Sequence, residues 1–135
     1  MVMAKYLVDT DWAVFYLRGK EPFVTTLKEY RQKGLAISVV TIAELYEGVF
    51  RSAKPKEKER SLRDFLKGIS IINVSPPIAR LFGQRRAELH KQGLTISDFD
   101  LLIGCTAIFF NLTLLTNNKK HYEKIPGLTE IITLE

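Results

Sequence analysis

One cysteine, Cys105, stands alone in a chain of 135 residues. No internal disulfide framework can form, and no cysteine cluster is available for zinc or an iron–sulfur group. A reducing, cytoplasmic setting is the expectation. Long apolar runs are also missing. The longest, LLIGCTAIFF, falls well short of the roughly 20 residues that a membrane-spanning helix needs. The opening MVMAKYLVDTDW places acids where a signal peptide would continue its apolar segment, so a soluble, non-exported protein with no membrane partner is expected. There is no internal repeat, no long linker, and no polar tract of the kind that stays disordered. Charge of one sign is only mildly in excess: 20 Lys and Arg stand against 15 Asp and Glu, a formal +5. That balance permits a polyanionic partner without requiring one.

What is present suits an ordinary globular protein, with 46% hydrophobic and 26% charged residues. The length fits one domain, 1–135, able to bury a core without disulfides or a structural metal. Short apolar, β-branched runs at KYLVD, LAISVV, ISIINV, LTLLT and EIITL read as five strands. Between them lie stretches of helical spacing: WAVFYL, PFVTTLKEYRQKG, TIAELYEGVF, KEKERSLRDFLKG, PIARLFGQRRAELHKQG and DFDLLIGCTAIFF. Gly34, Gly68 and Gly93 sit where helices would end, and Pro22, Pro55 and Pro77 where they would begin. Strands alternating with helices, several apolar on both faces, predict an α/β fold: a five-stranded, largely parallel sheet flanked by helices on both faces. Ligands gather at the carboxyl ends of such strands.

Acids recur at those ends. Asp9 follows the strand YLV; Glu44 falls in the first turn after LAISVV; Asp98 and Asp100 open the helix SDFDLLIG. Capping accounts for part of this. Thr41 with Glu44, and Ser97 with Asp100, have capping-box spacing, and Asp11 is a good N-cap for the helix that follows it. Asp9 is the least cap-like. If the strands are neighbours, Asp9, Glu44 and Asp98 or Asp100 converge, and such carboxylates repel one another unless protonated or bound to a cation. Mg²⁺ or Mn²⁺ suits all-oxygen ligands and leaves sites for phosphate oxygens. Asp98 and Asp100 point to different sides of a helix, so both cannot be equivalent inner ligands. Asp100 is preferred, with Asp98 a secondary candidate. A fourth strand end carries LLTNNKKHY, where Thr116, Asn117 and Asn118 form either a turn or a group that orients a metal-bound water or donates to phosphate.

In their order and spacing, YLVDTDW, SVVTIAELYEGV, ARLFGQRRAELHKQGLTISDFDLLIGCTAI and LLTNNKKHYEKIPGL resemble the PIN-domain ribonucleases, and within them the VapC-type toxins of toxin–antitoxin pairs. The resemblance runs nearly end to end. It implies an endoribonuclease that binds Mg²⁺ or Mn²⁺ through Asp9, Glu44 and Asp100, with a fourth site position at Asn118. That position is acidic in many relatives; Asn here implies that a second metal binds weakly or only with substrate. It also implies an RNA substrate, a homodimer, and a cognate antitoxin that inserts a peptide near the acids. The chain departs from the pattern in IGCTAI, where many relatives have alanines, in lacking a terminal Trp, and in Arg85, where an apolar residue is common; Arg86 matches a position that is usually Arg.

Arg85 falls within the apolar face of its helix by the 3.6-residue period. Either it runs its stem to solvent or pairs with Glu88, or Arg85 or Arg86 points to the acidic mouth and meets RNA phosphate or an antitoxin group, a contact for which Thr116 is a further candidate. RSAKPKEKERSLR, alternating in sign, reads as a solvated helix face. His90 and His121 read as surface or capping residues. Trp12, Phe15, Tyr16 and Leu17 read as core or dimer interface. The expected chemistry is metal-assisted phosphodiester hydrolysis. Its rivals are a catalytically idle PIN-like domain that binds RNA or protein, and a phosphoacceptor signalling domain, which would need an Asp at the end of ISIINV that is absent.

Overall fold

The computed structural model describes residues 3–135; Met1 and Val2, within the expected domain, lie outside the described residues. Each apolar run is a short strand: β1 Tyr6–Val8, β2 Leu35–Ser38, β3 Ser70–Ile72, β4 Thr113–Leu115 and β5 Ile131–Ile132. They build one sheet in the order β3-β2-β1-β4-β5, with every neighbouring pair parallel. Tyr6 is level with both Leu35 and Thr113, and Val8 with both Ile37 and Leu115. The three central strands therefore end together, and the residues leaving their carboxyl ends meet at one edge of the sheet.

Six helices match the expected segments: α1 Thr10–Leu17, α2 Phe23–Gly34, α3 Val39–Arg51, α4 Pro55–Leu66, α5 Pro76–Lys91 and α6 Asp98–Phe110. A seventh, the single turn α7 Lys119–Tyr122, was not anticipated. Pro55 and Pro76 open α4 and α5, where a missing N–H costs nothing. Gly34 closes α2 at φ +110 and turns the chain directly into β2. Its carbonyl accepts a hydrogen bond from Lys5 N at 2.8 Å, and a Cβ there would overlap the Met3 carbonyl.

The two-residue period of each central strand divides the core. Leu7, Ala36 and Leu114 face a layer that includes Ile78 and Leu89 of α5, Leu101 and Ile103 of α6, and Tyr122. Val8, Ile37 and Leu115 face Trp12, Phe23, Leu27, Leu62 and Phe65, from α1, α2 and α4. Helix α3 serves both layers, through Val40 on one and Leu45 and Val49 on the other. Each fully buried Leu, Ile or Phe contributes about 1.5–3 kcal/mol. Burial on both faces does not extend to β3, an edge strand whose Ile71 is 52% exposed. Among the described residues, no helix is long and apolar enough to cross a membrane.

Candidate active site

Asp9 leaves β1 between β2 and β4. Its backbone N–H donates to the Leu115 carbonyl at 3.0 Å, which prolongs the strand pairing to the site itself. The side chain is only 2% exposed. Contrary to the expectation, Asp9 is the N-cap of α1: its Oδ1 accepts from Thr10 N at 2.8 Å. Asp11, expected as that cap, lies inside the first turn instead. The reason is register. The helix begins one residue after Asp9, so the strand-end residue is also the first with a side chain facing free N–H groups.

Two hydroxyls complete the shell of Asp9. Thr116 donates to its Oδ2 at 2.7 Å, and Tyr122 lies 3.0 Å from its Oδ1. Burial, and next the charge of Asp11, push the Asp9 carboxyl up to about 7, with these hydrogen bonds acting in the opposite direction. The Tyr122 hydroxyl also lies 3.2 Å from Oδ1 of Asp100. A phenol has one proton to donate, so two carboxylates share a single donor. Burial, then the charges of Asp9 and Asp100, drive the Tyr122 pKa upward, keeping that proton in place.

Glu44 enters by another route. The expected capping box of Thr41 and Glu44 does not form, because α3 starts at Val39 with Ser38 as its cap. The Ser38 hydroxyl accepts from Val40 N at 3.0 Å. Glu44 is therefore in the second turn, where its Oε1 accepts from the Thr10 hydroxyl at 2.6 Å. Thr10 thus ties two acids together, Asp9 through its N–H and Glu44 through its side chain. Ser97 does cap α6, accepting from Asp100 N at 3.2 Å, while the Asp100 carboxylate turns to Tyr122.

The remaining candidates separate. Asp98 is largely exposed and pairs with Arg86 at 2.7 Å. Arg86 also donates to the Ile96 carbonyl. Arg85 donates to the Pro126 carbonyl at 2.8 Å and to Glu88 at 3.0 Å. Neither arginine contacts the Asp9–Asp100 pair. Asn118 N donates to the Thr116 hydroxyl at 3.0 Å, and the Asn118 side chain is exposed at the start of α7. Asp11 accepts from Asn117 N at 2.9 Å and from Trp12 N at 2.8 Å, and burial raises its pKa. His121, read as a surface residue, is exposed yet places Nδ1 3.7 Å from Asp100 Oδ2. Tyr122 and Thr10 were not foreseen. The only sequence signal for Tyr122 was an aromatic residue in an otherwise polar stretch, four places after Asn118.

Among the described residues, no three His, Cys, Asp or Glu side chains lie together closely enough to hold one ion among them. The donor set fits a hard divalent cation all the same. Asp9 and Asp100 present oxygens to one shared hydroxyl, and Mg²⁺ is commonly held by one or two carboxylates, with water and phosphate filling its other positions. A structural zinc site would need several nitrogen or sulfur ligands, whereas among the described residues His121 is the one such donor found beside these carboxylates.

Residues 6–127 match the PIN domain family. A ribonuclease VapC2 of Rickettsia felis is 35% identical over 125 residues, covering 91% of this chain and 93% of that relative. The chain belongs to the PIN-domain family of VapC ribonucleases. Another relative, a tRNA(fMet)-specific endonuclease VapC of Shigella flexneri, is 31% identical over 126 residues, covering 93% of this chain and 96% of its own length. A crystal structure of VapBC2 from Rickettsia felis bound to a DNA fragment from their promoter superimposes with a TM-score of 0.89 at 32% identity, covering 96% of this chain and 98% of that one.

The family match ends before β5, yet in this PIN domain the segment just after β5 is tied to the site. The Asn117 side chain accepts at Oδ1 from the buried Trp12 indole N–H and from Leu134 N, both at 2.9 Å, and donates from Nδ2 to the Leu134 carbonyl at 2.6 Å. Its backbone N–H meanwhile holds Asp11. One Asn therefore joins α1, the loop after β4 and the segment that follows β5.

Proposed function

We propose that residues 1–135 form one nuclease domain, the toxin of a toxin–antitoxin pair, which hydrolyses RNA phosphodiester bonds with Mg²⁺ or Mn²⁺. The observation that carries this reading is the meeting of Asp9 and Asp100 at one Tyr122 hydroxyl, at the carboxyl ends of the central strands. Asp9 and Asp100 would hold the ion, with Glu44 tethered beside them through Thr10 as the third acid of the set. When bound, the ion supplies Lewis acidity, making a water more acidic and offsetting charge on the leaving oxygen.

The chain's own residues prepare the site for that role. Burial raises the Asp9 carboxyl to about 7, and a cation held beside it would favour the ionised form. Thr116 and Thr10 N–H fix the orientation of the Asp9 carboxylate before anything binds. The exposed Asn118 amide, held by its backbone against Thr116, is available to donate to a phosphate oxygen. Asp98, whose charge is engaged by Arg86, would stand outside the ion's ligands.

The Shigella relative is named for one tRNA; for this chain the proposed substrate class is RNA. The solved VapBC complexes support a cognate antitoxin as partner. A homodimer in the cytoplasm completes the reading. The test is cleavage of a mixed structured RNA by antitoxin-free protein with Mg²⁺ or Mn²⁺, with EDTA, and with Asp9→Asn in parallel. Metal-dependent fragments with 5′-phosphate and 3′-hydroxyl ends, absent from the variant, are expected. Equal cleavage by Asp9→Asn would contradict the site.

A further inference from the structure

Two polar clefts open on either side of His121. One, of about 590 Å³, runs along Asn117, Asn118, Lys119 and Lys120 with Thr133 and Leu134 opposite, and Glu123 also lines it. The other, of about 460 Å³, is walled by Thr95, Ile96, Ser97, Lys124 and Asp100 itself. His121 belongs to both walls, 3.7 Å from Asp100. The clefts therefore adjoin at His121, and together they offer a path past Asp100.

We propose that this path is the track for the sugar-phosphate backbone of a single-stranded RNA, with Lys119, Lys120 and Lys124 meeting phosphates on either side of the bond at Asp100. The inference rests on the nuclease reading and adds to it how the substrate is held. Charge supports it. Lys119 and Lys120 are exposed and, among the described residues, have no carboxylate within 4.0 Å, as is true of other Lys and Arg of the chain; what singles these two out is their place on the cleft wall beside the site. Lys124 is held over the second cleft by the Thr95 carbonyl at 3.1 Å, which leaves its charge uncompensated. An acidic peptide would carry carboxylates against Asp100 with nothing between them. A phosphodiester brings its charge to the place where the divalent ion would sit. No Phe, Tyr or Trp lines either cleft, so bases find no broad stacking platform there. Recognition along the track is of phosphate, tolerant of sequence and sensitive to salt.

The test uses full-length Asp9→Asn protein, which does not consume the probe, and follows its binding to a short mixed-sequence single-stranded RNA by fluorescence anisotropy as salt is raised. Removing one lysine that neutralises a phosphate should flatten the plot of log affinity against log salt by about 0.7. Lys119→Ala/Lys120→Ala should therefore lower the slope by roughly 1.4, and adding Lys124→Ala by about 0.7 more. The charge-matched control is Lys5→Ala/Lys33→Ala, one just before β1 and the other in the last turn of α2, both at the end of the strands opposite the site; its slope should stay close to that of the parent. Equal flattening in both pairs would mean that binding follows net charge, and the track would be abandoned. RNA binding with an unchanged slope, together with loss of affinity for an acidic peptide, would reassign the clefts to a protein partner. Absence of RNA binding by the parent would overturn the track, while the nuclease reading stands or falls separately on cleavage by wild-type protein with Mg²⁺ or Mn²⁺.

Discussion

Replacing Asp9 by Asn removes a charge that the native fold holds at a cost. The carboxyl is raised from its ordinary 3.8 to about 7, chiefly by burial and then by Asp11. Between those two values the unfolded chain has released its proton while the native chain still keeps one, so metal-free stability falls as pH rises through this window. At about 1.4 kcal/mol for each pH unit crossed, the loss is at most roughly 4.5 kcal/mol above pH 7. Asn preserves the Oδ1 acceptor for Thr10 and Tyr122 but turns an amide toward Thr116, whose hydroxyl must rotate to accept, at a cost of about 1 kcal/mol. The net expectation is an Asp9→Asn protein more stable than wild type by about 2–3 kcal/mol near pH 8, with little or no advantage near pH 5. In a domain of this size that is a rise in Tm of roughly 8 °C. Urea unfolding in EDTA at the two pH values measures the difference directly. Adding Mg²⁺ at the higher pH should stabilise the wild type alone. A variant less stable than wild type by the same amount at both pH values would refute the reasoning, because Asp9 would then be an ordinary ionised cap.

Three further substitutions probe the rest of the site. Thr10→Val unhooks Glu44 and should cost about 1 kcal/mol in thermal stability, but should weaken Mn²⁺ binding measured calorimetrically, with Thr10→Ser restoring both; unchanged metal affinity would remove Thr10 from the positioning role. Asn117→Ala strands the buried Trp12 indole N–H and frees Leu134, so a loss of about 2 kcal/mol is expected, with faster amide exchange in β5 than in β1. Asp98→Ala breaks only a surface pair with Arg86, worth about 0–1 kcal/mol, and cleavage should continue; loss of cleavage at unchanged stability would return Asp98 to the centre.

The sheet was readable because its physics is local. Each strand is a short apolar run with a turn or polar residue at either end, and alternation of the side chains over both faces is visible in Leu7–Val8, Ala36–Ile37 and Leu114–Leu115. The neighbours of β1 were not readable, since pairing is decided by packing of helices that are distant in sequence. Two of the three cap assignments were displaced for one reason. Propensity names residue types good at capping, but the strand's end fixes where the helix can begin, and this moved the caps from Asp11 to Asp9 and from Thr41 to Ser38. Only Ser97 kept its place. α7 is too short for periodicity to reveal, and Tyr122 was hidden with it. Arg85 shows the opposite case: its position on an apolar helix face was legible, and the structure supplies the Pro126 carbonyl and Glu88 as the groups it needs there.

The shared Tyr122 hydroxyl has a consequence for the order of events in the life of the chain. In a zinc finger the ion is part of the folding reaction, and without it there is no fold. Here a phenol proton already stands between the two carboxylates, and Asp9 can keep its own proton, so the core can close around an empty site. Assembly and arming are then separate steps. If activity requires the ion proposed above, a cell short of free divalent ions would still accumulate folded protein, and a change in ion supply would act without first passing through synthesis or refolding.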